Sequence, residues 1–415
     1  MICCKFAKNM TIKMRKILYL VFSMLVMMAC SKGNKDIKVV VCVPVYGQSL
    51  ALGEEAELLT DIGHLYDDNQ GRIMAEGLGS SFGYYEDHGL KQMVKRLIRY
   101  SNRLNENSSY AMAKTLTEQL GKDTAVCIFA GGRGGTEISR LVKGSEPYTM
   151  FLENIKKSYE EARERGIKFY VPAICWMQGE SDMFDYTHVD YKKMLKQFAE
   201  DINNDVKEIT RQREDVKIVT YQSCCLTRCW NFDPLQYNCY EATIPQAQME
   251  LAREKGLFAA GTPVYPFSFV DERIHLDGKS QQEVGRRHAF VVLDIIRKGE
   301  SSAGLYPTLI AAHDSIVTVK FNRGGLTIDT TNVSPAKNLG FSVITPDGRD
   351  ITSRVDVTTD SIVINCNAPA TACCIRYAIN GTKQKTGGKA GPRGNIKASD
   401  GKRDYWCFMF AEKVE

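Results

Sequence analysis

Between residues 37 and 298, short Val-rich apolar runs alternate with longer amphipathic stretches. This alternation restricts the fold more than any other feature of the chain. Lys38–Val45, Thr124–Ala130, Lys168–Cys175, Val216–Gln222 and Phe258–Val264 read as strands. Their apolar character is nearly continuous, as in strands covered on both faces. Ser109–Leu120, Tyr148–Arg165, Val189–Arg211, Ile244–Lys255 and Gly278–Arg297 read as helices, and Phe151, Ile155 and Tyr159 share one face of the second. Strands separated by helices of this length form βαβ units, so an α/β fold with a mostly parallel, covered sheet is expected. Catalytic residues on such a sheet belong at the carboxyl ends of the strands.

Two stretches break the alternation. Residues 54–107 are polar and rich in Gly, Tyr and charge, and read as an insertion in the domain spanning 38–298. After Gly299, short β-rich runs are separated by turn signals such as Pro346-Asp347-Gly348. Residues 299–415 are therefore expected to form a second, β-sandwich-like domain.

The N-terminus carries a processing signal. Lys13, Arg15 and Lys16 precede the apolar run Ile17–Ala29, which ends at Cys30 and is too short to span a bilayer. Residues 1–29 are excluded from the fold as a signal peptide, with 30–37 as a linker. The pattern resembles a bacterial lipoprotein signal. That resemblance implies export and a membrane anchor through lipid on Cys30. Part of the net charge of +5 sits in this segment, and no dense basic block follows, so nucleic acid is not an expected partner.

Of 14 cysteines, Cys3 and Cys4 leave with the signal and Cys30 takes the lipid. Cys42, Cys127 and Cys175 lie in strand-like runs and read as buried small hydrophobes. Cys224, Cys225, Cys229 and Cys239 cluster around a loop without CxxC spacing or a nearby histidine. One or two disulfides are the expectation, and no metal.

Three strands end in glycine and polar residues: Gly47-Gln48-Ser49, Gly131 to Thr136, and Trp176-Met177-Gln178-Gly179-Glu180-Ser181-Asp182. A fourth segment, Asp271-Glu272-Arg273-Ile274-His275, precedes the last helix. Acyl transfer needs parts of this kind. A serine hydroxyl needs a histidine to take its proton, and the histidine needs a carboxylate to fix its tautomer. The tetrahedral oxyanion needs donors already aimed at it, which the glycine loop and the Gln178 amide can supply. The glycine loop lacks the Gly-Lys-Ser/Thr ending of a phosphate-binding loop.

This set resembles the SGNH hydrolase superfamily, and within it the sialate O-acetylesterase-like carbohydrate esterases. The resemblance rests on Gly47-Gln48-Ser49, Gly134-Gly135-Thr136-Glu137-Ile138, the Trp176–Asp182 block, and His275 after an acid. It covers about residues 38–298. It implies a three-layer α/β/α sandwich, a Ser49 nucleophile and a His275 base. It also implies an oxyanion hole from the amides of Ser49, Gly134 and Gly135 with the Gln178 side chain. Gln48, Trp176 and Glu180 are supporting residues, and Glu180 and Asp182 brace their loop. Leu50 stands where many relatives have Asn. Glu272 has the spacing of the acid and Asp271 its residue type, so both remain candidates. Arg133 is a candidate for binding an anionic substrate, and His64 and His88 in the insertion are candidates for lining the cleft.

The expectation is an exported, anchored serine esterase that removes O-acetyl groups from a carbohydrate, with an acetylated glycan as substrate and no cofactor. A lipid or aryl esterase on the same fold, and a non-catalytic glycan-binding surface lipoprotein, are the rival readings.

Overall fold

In the computed structural model, which describes residues 37–68, 72–75, 105–184, 188–228, 244–301 and 303–415, the Val-rich runs form parallel strands. These are β1 (Val39–Cys42), β2 (Val45–Gly47), β3 (Ile73–Ala75), β4 (Thr124–Ile128), β5 (Ala130–Gly132), β6 (Lys168–Tyr170), β7 (Ala173–Met177), β8 (Lys217–Gln222) and β9 (Phe258–Pro263). One set pairs in the order β3-β4-β1-β6 and the other in the order β5-β2-β7-β8-β9. Three runs of chain serve both sets. Pro44 separates β1 from β2 and Pro172 separates β6 from β7. A proline has no N–H to give the ladder, so pairing stops there and resumes one residue later. Every pairing among these strands is parallel.

The helices are α1 (Ser49–Leu52), α2 (Ile62–Asp68), α3 (Ser108–Gln119), α4 (Glu146–Glu164), α5 (His188–Thr210), α6 (Ile244–Glu254) and α7 (Gly278–Lys298). Their apolar faces close over the sheet. Phe151 and Ile155 of α4 are buried as the periodicity predicts, whereas Tyr159 is only partly covered. Strand β3 lies inside the expected insertion and was not foreseen. Much of that insertion, including His88, lies outside the described residues, as do residues 1–36 with Cys30, and Cys229 and Cys239.

Beyond α7 the strands pair antiparallel. β10 (Pro307–His313), β11 (Ile316–Phe321), β12 (Leu326–Ile328), β13 (Phe341–Ile344), β14 (Thr352–Val357), β15 (Ser361–Cys366), β16 (Cys374–Tyr377), β17 (Ile396–Ser399), β18 (Asp404–Trp406) and β19 (Phe410–Lys413) build three small sheets, ordered β10-β11-β15-β14, β13-β16-β19 and β12-β17-β18. This region packs directly on the α/β part, and one continuous apolar core includes Val219 and Tyr265 as well as Tyr377 and Phe408.

Cys127, Cys175 and Cys224 are buried free thiols, and Cys42 and Cys225 are buried beside them in the core. Cys374 is disulfide-bonded. Among the described residues, no group of three His, Cys, Asp or Glu side chains is placed to hold a metal.

Candidate active site

Gly47, Gly132 and Met177 occupy one row across the sheet, because β2 pairs with β5 and β7 in that register. At Gly47 and Gly132 the row has no room for a side chain. A Cβ on Gly47 would lie 2.0 Å from the Met177 carbonyl oxygen, and one on Gly132 would lie 1.8 Å from the Gly47 carbonyl oxygen. The polar residues that follow this row, Gln48-Ser49, Arg133–Gly135 and Gln178–Asp182, therefore emerge side by side at the carboxyl edge.

Ser49 opens α1, and its side chain is almost entirely buried. Gly53, with φ 73°, ends this single turn and returns the chain. So short a helix cannot satisfy its own carbonyls. Asn107 Nδ2 donates to Ala51 O at 2.6 Å and Gln281 Nε2 to Leu50 O at 2.9 Å. The second bond ties the first turn of α7, two turns after His275 in sequence, to the serine helix. Among the described residues, the amides of Ser49, Gly134 and Gly135 make no hydrogen bond within the protein.

His275 lies on a hairpin-like loop closed by a bridge between Phe269 and Leu276 and by Val270 N–H donating to His275 O at 2.8 Å. Its Nδ1 meets Glu55 Oε2 at 2.8 Å. That bond holds the Glu55 carboxyl below the usual carboxylate range. Neither sequence candidate for this acid takes the position. Asp271 is largely exposed and faces Arg273 at 3.4 Å. Glu272 turns the other way and pairs with Lys385 Nζ at 2.7 Å. Both residues are left-handed, with φ of 51° and 54°, and this tight tip directs their carboxyls away from the imidazole. The expectation that one of them contacts His275 is corrected by this geometry.

Gln178 is also placed differently from its expected role. Its Nε2 donates to Thr136 O at 3.1 Å and to an Asp182 carboxylate oxygen, which uses both amide hydrogens. The reverse orientation would set Oε1 against a carbonyl and a carboxylate, so the amide is fixed this way round. The side chain ties the glycine loop to its own block and has no N–H left for an oxyanion.

The rest of the block is a buried polar scaffold. Trp176 Nε1 donates to Tyr191 OH at 3.1 Å, and Tyr191 OH donates to Gln178 O at 3.0 Å. Asp182 accepts from Ile138 N at 3.0 Å and so pins the end of the glycine loop. Glu180 is fully buried and accepts from Tyr221 OH, and burial pushes its pKa up to about 7. Gln48 Oε1 accepts from Ser181 N at 3.3 Å and Gly179 N at 3.4 Å, bracing the turn after β7.

Glu54 and Glu55 are the residues that the sequence reading missed. Glu54 N donates to Ser49 O at 3.0 Å, and Glu54 Oε1 is buried without a hydrogen-bond partner against Gly134. Burial raises its pKa, and nearby His275 offsets part of the rise. The only signal was an acidic pair within two turns of the serine, directly after a glycine. Arg133 is partly exposed and bound to Glu146 at 2.6 Å, and His64 is exposed on α2.

Residues 102–294 match the family model described as carbohydrate esterase, sialic acid-specific acetylesterase. The matched span contains the glycine loop, Gln178 and His275, and begins after Ser49 and Glu55. No curated protein sequence matches the chain. Among solved structures, the chain is similar to a novel carbohydrate acetylesterase from Xanthomonas citri, XAC1771, at 13% identity and a TM-score of 0.60, over 90% of this chain and 80% of the other. This likeness shows a shared fold. NanS, at 12% identity and a TM-score of 0.43, matches 64% of this chain and all of its own. A protein from Arabidopsis thaliana, AT4G34215, at 15% identity and a TM-score of 0.41, matches 61% of this chain and 98% of its own.

Proposed function

Since residues 102–294 belong to the sialic acid-specific acetylesterase family of carbohydrate esterases, and the chain is accordingly a carboxylic ester hydrolase, we propose that it removes O-acetyl groups from a carbohydrate through an acetyl-serine at Ser49. Ser49 Oγ attacks the acetyl carbonyl carbon while His275 takes its proton. The tetrahedral intermediate collapses, the ester C–O bond breaks, and His275 returns the proton to the departing sugar oxygen. Water then attacks the acetyl-serine by the same route and releases acetate and free serine. Glu55 orients the imidazole through Nδ1. The unbonded amides of Ser49, Gly134 and Gly135 are the oxyanion donors in this reading.

The observation that carries the proposal is the meeting of three elements at one edge. Ser49 follows the Gly47 row, the unbonded glycine-loop amides follow the Gly132 row, and the His275–Glu55 pair is built from the residue six positions after the serine. The Ser49→Ala variant is expected to fold and to release no acetate from acetylated sugars or p-nitrophenyl acetate. Intact-mass analysis of the parent protein during turnover should show an acetyl group on the peptide carrying Ser49. Full activity in the variant would move the nucleophile elsewhere. The lipoprotein-like signal supports a further part of this reading, a cell-envelope location through lipid on Cys30.

A further inference from the structure

His275 depends on a loop with an unusual tip. Residues 269–276 fold back on themselves through Glu272 N donating to Phe269 O at 3.1 Å and Arg273 N donating to Val270 O at 2.9 Å. The tip residues Asp271 and Glu272 are both left-handed and neither is glycine. Glutamate gains nothing from that backbone region. Such a tip persists when its surroundings hold it.

The support comes from a distant part of the chain. Thr386 N donates to Glu272 O at 2.9 Å, and Lys385 Nζ meets Glu272 Oε2 at 2.7 Å. Gly387, with φ +88°, follows at once. A Cβ there would lie 2.7 Å from Phe267 O and 3.0 Å from the Phe269 ring. The segment doing this is itself rooted in the β-rich region. Thr382 N donates to Ala390 O at 2.8 Å, Gly391 N to Gly387 O at 2.9 Å, and Ser334 N to Gly388 O at 2.9 Å.

We propose that the 382–391 loop of the C-terminal β-region positions the base of the esterase site. Lys385, Thr386 and Gly387 hold the tip of the His275 hairpin, so that the imidazole meets Glu55. Glu272 and Lys385 are positioning residues in this scheme. The inference rests on His275 being the base.

Lys385→Ala, Lys385→Arg, Glu272→Gln and Gly387→Ala separate the possibilities, with kcat and KM measured on one acetyl ester and amide exchange followed over residues 269–277. Lys385→Ala and Glu272→Gln should each lower kcat by about two- to fivefold with KM unchanged, the scale of one partly exposed ion pair. Their combination should be no worse than either alone, and Lys385→Arg should keep the parent rate. Gly387→Ala should lower kcat further. Exchange at Val270, whose N–H bonds His275 O, should quicken in each impaired variant. Unchanged kcat and unchanged exchange in folded Lys385→Ala and Glu272→Gln would overturn the proposal, whether or not Gly387→Ala folds. Full activity in His275→Ala would instead remove the base assignment, and the exchange data would still report whether the loop holds the hairpin.

Discussion

At the residue scale, the acid beside His275 is the sharpest departure from expectation. Glu55 is 220 positions from the histidine it meets, and no local spacing could announce it. Asp271 and Glu272 fit a spacing rule, but the left-handed tip turns their carboxyls away. If Glu55 orients His275, Glu55→Gln removes the negative charge that stabilises the imidazolium formed when His275 takes the Ser49 proton. A loss in kcat of at least about 10²-fold is expected, within the range for a triad acid. Asp271→Asn should stay near the parent rate, and Glu272→Gln should lose only the few-fold effect of its ion pair with Lys385. Rates for all three on one acetyl ester decide the assignment. A larger loss in either tip variant than in Glu55→Gln would return the role to the tip. Ser49→Ala, by contrast, should reach the background rate in any of these outcomes.

At the element scale, the helices and central strands were legible because each carries its own period and its own boundaries. Strand β3 was not, because three residues within a polar insertion give no alternation to read. Strand β14, with Arg354 and Asp356 in its middle, hid for a similar reason: its polar residues face solvent on a sheet edge. The Trp176–Asp182 block was found by its residues, but the direction of the Gln178 amide depends on Thr136 and Asp182 and could not be read from spacing. Glu180 gives this element a testable signature. Its folded pKa of about 7 lies above the ordinary 4.5, so the folded state holds a proton that the unfolded chain releases first. Stability should therefore fall as pH rises from about 4.5 to about 7, by up to ~3 kcal/mol from this group, and level off above. Glu180→Gln removes the titration. Its melting temperature should gain on the parent as pH rises through this window. An identical pH dependence in both proteins would mean that Glu180 is ionised in the fold throughout.

At the scale of the whole molecule, two expectations remain to be measured. The first concerns the anchor. If lipid on Cys30 is what holds the exported protein, Cys30→Ala should appear in the soluble fraction and carry no lipid by mass. A variant that is unlipidated yet still sediments with membranes would require another attachment.

The second concerns how the two regions depend on one another. The change of pattern after Gly299 was visible in the sequence, but the contact between the regions was not, since its members are ordinary core and polar residues. Gln222, at the end of β8, exchanges two hydrogen bonds with the Met409 backbone at 2.7 and 2.8 Å. Gln246 accepts from Ala411 N at 2.9 Å, and Tyr265 OH donates to Cys407 O at 2.9 Å. Arg253 and Glu412 pair at 2.7 Å across the same seam. The Gln222, Gln246 and Tyr265 contacts bind the carboxyl-end neighbourhood of the parallel sheet to the last stretch of the chain. Removing residues 299–415 would expose Tyr265 and strip partners from two buried glutamine side chains, and unpaired buried polar groups are costly. The intact protein should therefore unfold in one calorimetric transition, and a chain ending at Lys298 should fail to give a cooperative one. Two separate transitions, with the first leaving acetate release intact, would show that the β-region is an independent domain. That result would also remove the physical basis for coupling between the 382–391 loop and His275.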